Sequence, residues 1–197
     1  MLRDYAPLKS SLLLPYRGFC EPTQTLPQRV AFEDTALSVM TDFKCLSAVV
    51  IRPDDPVHDA NQRMIQRGVR LLLVIDANRK VAGIITATDI LGEKPLQVIS
   101  ERGGRHGDIL VGDIMTPQPR LEVLAMADVR NAKVGHIVAT LKQSGRQHAM
   151  VVDVDASGQQ VVRGLFSATQ IARQLGINIQ TSEIAQTFSE IEALLAH

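Results

Sequence analysis

The chain has 197 residues, 45% of them hydrophobic, and carries 21 basic and 21 acidic side chains. That length buries enough apolar surface for one large domain or two small ones without metals or disulfides, and the balanced charge lacks the positive field that non-specific nucleic-acid or acidic-membrane binding needs. Cys20 and Cys45 are the only cysteines, and Leu12-Leu13-Leu14 stops at Pro15, so a disulfide framework, a cysteine-based zinc site, a membrane span and a signal peptide are not expected and the protein reads as cytoplasmic.

Residues 1–38 carry Pro7, Pro15, Pro22 and Pro27, each without an amide donor, and read as an irregular N-terminal arm. From there the chain repeats itself. Met40-Thr41-Asp42 precedes a first unit (39–100) and Met115-Thr116-Pro117 a second (111–176), with a glycine-rich solvated linker predicted at 101–110. Ala48-Val49-Val50-Ile51 is a candidate first strand. A helix follows, predicted to be capped by Asp55 with Pro56 at its first position, carrying Val57, Ala60 and Met64 on one face and stopping at Gly68. The strand of Gly68 to Asp76 aligns without gaps to Gly145 to Asp153, and each leads through a turn into a second strand. In the second unit the matching elements are Leu121-Glu122-Val123-Leu124 and a helix with Val134, Ile137, Val138 and Leu141 on one face. Each second strand ends in a signature: Gly83-Ile84-Ile85-Thr86-Ala87-Thr88-Asp89 and Gly164-Leu165-Phe166-Ser167-Ala168-Thr169-Gln170. Each unit is therefore β-α-β-β-α. Over 177–197, a C-terminal helix capped by Thr181 or Ser182 places Ile184, Phe188, Ile191 and Leu195 on one face.

His58, His106, His136, His148 and His197 show no paired ligand spacing, so no metal site is expected, and His148 reads as a packed polar residue beside Arg146 and Gln147, which could contact a phosphate. Asp153-Val154-Asp155 looks like a phosphatase nucleophile motif, but no lysine follows Lys142 to complete it. No nucleophile, base and orienting group assemble, so catalysis is not expected.

The ordered repeat, with Met-Thr ahead of each unit and Gly-x-x-[Ser/Thr]-x-x-Asp at its close, resembles the CBS (cystathionine β-synthase) domain pair, or Bateman module, over roughly residues 38–176. The resemblance implies an α+β (α/β) fold in which two repeats pack with pseudo-twofold symmetry and leave clefts for an adenosyl nucleotide: AMP, ADP, ATP or S-adenosylmethionine. It implies Asp89 as acceptor of the ribose hydroxyls, with Thr86 and Thr88 beside ribose or phosphate after Gly83. In the second copy Ser167 and Thr169 match, but Gln170 replaces the acid, so the clefts are expected to be unequal. It further implies no obligatory cofactor, a homodimer, and a regulated protein partner in trans. Two alternatives stand beside it. Thr86-x-x-Asp89 and Ser167-x-x-Gln170 both satisfy the helix capping-box rule without any ligand, and the chain could serve as a ligand-free dimerisation or docking module.

Overall fold

The computed structural model describes residues 23–177; the expected C-terminal helix capped by Thr181 or Ser182 lies outside them. In chain order the elements are β1 (Met40–Asp42), β2 (Val50–Ile51), α1 (Val57–Arg67), β3 (Leu71–Ile75), β4 (Val81–Thr86), α2 (Ala87–Leu91), α3 (Lys94–Arg102), α4 (Val111–Ile114), β5 (Thr116–Pro117), β6 (Val123–Ala125), α5 (Met126–Val129), α6 (Val134–Ser144), β7 (His148–Val154), β8 (Gln160–Ser167) and α7 (Ala168–Gln174).

The helical stripes bury as their spacing requires. Val57, Ala60 and Met64 of α1 enter one core, and Val134, Ile137, Val138 and Leu141 of α6 enter another. Gly68 and Gly145 end the two helices, each with φ 63°, a left-handed conformation that only glycine adopts without strain. The start of α1 differs from the sequence expectation. Pro56 is the N-cap, and the Asp55 carboxylate instead accepts the Arg52 amide at 3.1 Å. The Val57 amide is satisfied by the Ile109 carbonyl at 3.0 Å, so no capping side chain is needed there. Ile109 is buried, which makes the end of the predicted linker part of the core.

Two four-stranded sheets form, in the orders β2-β3-β4-β5 and β1-β8-β7-β6. The strand ahead of each unit therefore pairs with the other unit. Met40, Thr41 and Asp42 lie against Phe166, Leu165 and Gly164, while Thr116 and Pro117 lie against Ile84 and Gly83. This exchange explains both signature glycines. A Cβ on Gly83 would sit 2.5 Å from the Thr116 carbonyl oxygen, and one on Gly164 would collide with the Thr41 carbonyl oxygen. The sheets face each other through Leu71 and Leu73 of β3 and Met150 of β7, with Ile84, Leu121, Val162 and Leu165 around them.

The described part of the arm, residues 23–38, packs on the second unit. Gln24 acts as a short extension of the sheet, its amide bonding the Met40 carbonyl (2.8 Å) and the Asp42 amide (2.9 Å). Val30 and Phe32 pack on the core around α6. β1 is then locked by Arg163, whose Nε and Nη2 donate to the two oxygens of Asp42, each at 2.7 Å, and whose Nη1 donates to Asp153 at 3.1 Å. Arg163 and Asp42 are each only 14% exposed. Asp153 is thus a structural ion-pair partner, and Asp155 orders the hairpin by accepting the Ser157 and Gln159 amides, as Asp76 does for Asn78 and Lys80. Asp155, not the sequence-aligned Asp153, plays the part of Asp76, because β7 runs further before its turn than β3.

Two outcomes follow for stability. Gly83→Ala should lower it by about 1–3 kcal/mol, because the contacting atom is backbone and cannot swing aside; urea titration measures this. Arg163→Met should cost about 1–3 kcal/mol by leaving Asp42 unpaired. Hydrogen bonding from Arg163 holds Asp42 below the ordinary carboxylate value, outweighing its partial burial. Because the folded-state value is depressed, this stability is complete above about pH 4 and is lost as pH falls through the folded value. Urea midpoints measured between pH 7 and pH 3 should therefore slope less steeply in Arg163→Met than in the parent.

Candidate functional site

A cleft of about 420 Å³ opens between the two units where the first signature ends. Ile84, Thr86, Thr88 and Asp89, with Thr116 beside Ile84 in the same sheet, form one wall; Arg120, Leu121, Glu122, Arg146, Gln147 and His148 face them. The strand exchange makes the site composite: β5 is paired into the first sheet, and the chain must cross the cleft between Thr116 and Val123 to reach β6 in the second.

The capping reading of the first signature is correct in geometry. Asp89 Oδ2 accepts the Thr86 amide (2.8 Å) and the Thr86 hydroxyl (2.7 Å), while the Thr86 Oγ1 accepts the Asp89 amide (3.2 Å). The same carboxylate nevertheless lines the cleft, so capping and ligand contact are compatible at Asp89. Its Oδ1 is met by the Lys94 ammonium at 2.6 Å. Lys94 begins α3, brought back toward α2 by the break at Gly92 and Glu93 and by Pro95 in the first turn. Nothing in the local sequence pattern signals this pair, since Lys94 and Asp89 belong to different helices.

α2 has five residues, and its first amide, that of Ala87, already bonds the Arg70 carbonyl at 3.0 Å. The positive charge in the cleft comes from the opposite wall, from Arg120 and from Arg146, whose Nη1 lies 3.0 Å from Glu122. Arg146 and Gln147 were visible in the sequence as possible contacts; Arg120 and Glu122 were not, because only the exchange of β5 aims their segment at Asp89. His148 lines the cleft half-buried. Burial, followed by the charge of Arg70, pushes its imidazole down to about 4 against the pull of Asp89, so at neutral pH it offers an uncharged ring.

The remaining signature residues lie elsewhere. Gly83 is buried against the Thr116 carbonyl and does not line the cleft. Ser167, Thr169 and Gln170 are not part of it either. Ser167 is the N-cap of α7 but makes no side-chain capping bond, so the second capping box expected from the sequence does not form. Gln170 turns its amide toward Gln174 (3.4 Å), which is itself pinned to the carbonyls of Pro27 (2.7 Å) and Ser38 (3.1 Å). A neutral, longer side chain has no charge to hold it over the Ser167 amide. A second cleft of about 570 Å³ lies between the hairpins, walled by Leu73, Ile75, Val152 and Val162 with Arg79 and Lys80 at its edge, and includes no signature residue. Among the described residues no cluster of three or more His, Cys, Asp or Glu is placed to hold a metal ion, and no helix is long and apolar enough to cross a membrane.

Residues 36–95 match the family model described as CBS domain. No curated protein matches the chain. Among solved structures, an uncharacterized conserved protein from Pyrococcus horikoshii aligns with a TM-score of 0.54 at 20% identity, covering 78% of this chain and 100% of that one, which shows a shared fold. CBSX2 of Arabidopsis thaliana, solved in complex with AMP, aligns at 24% identity over 71% of this chain and 94% of that one, TM-score 0.47. The CBS domain pair of protein MJ0100, in complex with 5′-methylthioadenosine and S-adenosyl-L-methionine, aligns at 17% identity over 72% and 95%, TM-score 0.49. Residues 36–95 are similar to the CBS domain family, and with the second β-α-β-β-α unit, with which they exchange strands, they form one two-unit module.

Proposed function

We propose that this module is a regulatory sensor that binds an adenosyl nucleotide in the Asp89 cleft and through it modulates a protein partner in trans. One observation carries the reading: a carboxylate from one unit and two guanidinium groups from the other face each other across a single cleft. A carboxylate accepts hydrogen bonds and donates none, which suits ribose hydroxyls, whereas Arg120 and Arg146 suit phosphate oxygens. Ile84, Leu121 and Met150 give the cleft apolar surface against which a base can lie. Ribose at Asp89 and phosphate toward the arginines is therefore the orientation that pairs each ligand group with its complement. The chain acts in this reading by binding, not by catalysis.

A ligand-free dimerisation module is the second reading, favoured by Ile65, Leu91 and Leu96, which remain 72%, 75% and 67% exposed on three successive helices of the first unit. We place a second copy of the chain on those helices, an arrangement compatible with nucleotide binding in the cleft.

Titration with AMP, ADP, ATP and S-adenosylmethionine should raise the unfolding free energy by about 2.7 kcal/mol at a hundredfold excess over Kd for the ligand that fits. Asp89→Ala should abolish that gain, and Arg146→Gln should weaken a phosphorylated ligand about tenfold while changing adenosine little. A panel that leaves the melting temperature unmoved, or an unchanged response in Asp89→Ala, overturns the nucleotide reading. For the dimer, sedimentation should show a concentration-dependent twofold mass that Leu91→Glu removes without unfolding the chain; a monomer at all concentrations refutes the interface.

A further inference from the structure

We infer that Lys94 is the resident occupant of the acceptor at Asp89, and that a ribose ligand engages this site by displacing it. The inference rests on the reading of Asp89 as the ribose acceptor and adds what that acceptor must give up. An ionised carboxylate has about four lone-pair positions for hydrogen-bond donors. Three are filled in this structure: Oδ2 takes the Thr86 amide (2.8 Å) and hydroxyl (2.7 Å), and Oδ1 takes the Lys94 ammonium (2.6 Å). One position remains, whereas a ribose cis-diol brings two donors.

The three bonds are not equally easy to release. The Thr86 amide closes the capping box on which the start of α2 depends, and the Thr86 hydroxyl is kept beside Oδ2 because its oxygen accepts the Asp89 amide (3.2 Å) in the same box. Lys94 is the removable partner. Its side chain is 42% exposed against 12% for Asp89, so its ammonium can rotate into water on a flexible stem while the carboxylate stays in place. The ammonium is also tethered, donating to the Ile114 carbonyl at 3.0 Å, so leaving Asp89 breaks one of two contacts and need not carry the lysine far. A ligand with a single hydroxyl at this position fills the vacant lone pair and leaves Lys94 where it is. A diol does not fit until Lys94 moves. Ribonucleotides and 2′-deoxyribonucleotides therefore meet different protein states, and the Asp89–Lys94 pair reduces the advantage of the second hydroxyl.

The test is the ratio of the affinities for AMP and 2′-deoxy-AMP, measured by calorimetric titration in the parent chain, in Lys94→Met and in Lys94→Arg. The attraction of the Lys94 charge for the phosphate is common to both nucleotides and cancels in the ratio. Lys94→Met should raise the preference for AMP about two- to fivefold, the range that loss of a partly exposed ion pair allows, while Lys94→Arg keeps the parent ratio. Equal ratios in the parent and Lys94→Met, with both proteins binding AMP, overturn the inference and leave the nucleotide reading intact. Failure of every variant and of the parent to bind either nucleotide overturns both. Should Lys94→Met lose its circular-dichroism signature, Lys94→Ala carries the same comparison, since alanine leaves no donor to reoccupy Asp89.

Discussion

Each sheet of this molecule is completed by a strand that belongs, in sequence, to the other repeat, and that exchange depends on two points of backbone contact. The Thr41 carbonyl passes over Gly164 and the Thr116 carbonyl over Gly83, at separations that leave no room for a Cβ. A strand cannot lie in its ladder if a side chain props it away, so the absence of two methyl groups permits both sheets to close. On one side the contact is reinforced by the paired hydrogen bonds of Arg163 to Asp42. On the other, where Ala82 occupies the position matching Arg163 in the repeat, the ladder of Gly83 and Ile84 with Pro117 and Thr116 stands without it.

The position of the cleft follows from this constraint. Because β5 is hydrogen-bonded into the first sheet and β6 into the second, residues 118–122 must bridge the space between them. Arg120 and Glu122 are carried to a wall facing Asp89 by this crossing alone. The site is consequently a property of the pair of units, and its two halves bring opposite chemistry: the first unit contributes a carboxylate fixed by a cap, the second contributes guanidinium groups and a neutral imidazole. Where the first cleft has Arg146, Gln147 and His148, the gapless repeat alignment places Val69, Arg70 and Leu71, so identical topology supports unlike clefts. Gln170 is the clearest case, since a neutral side chain there goes with the absence at Ser167 of the capping geometry that a carboxylate holds at Asp89.

Much of the fold was legible because it is written in local terms. The stripes on α1 and α6, the glycines that stop them, and the paired hairpins all appear where spacing and turn chemistry put them. The departures share one cause, which is contact from a distant segment. Asp55 does not cap α1 because residues near Ile109 satisfy the helix start. Asp153 lies inside β7, short of the turn, where it pairs with the Arg163 that is fixed by Asp42 of the distant β1. The duplicated signature was recognisable as a repeat, yet its glycine proved to serve strand exchange, leaving Thr86, Thr88 and Asp89 at the cleft.

By itself the sequence determined that a β-α-β-β-α unit occurs twice, which helical faces are apolar, and that only the first copy ends in an acid, since these are matters of residue order and period. Tertiary structure alone decided which sheet each leading strand joins, which arginines face Asp89, and that Lys94 holds its free oxygen. Those partners lie on separate elements, so their meeting depends on how the sheets pack, a relation that no local pattern of side chains encodes.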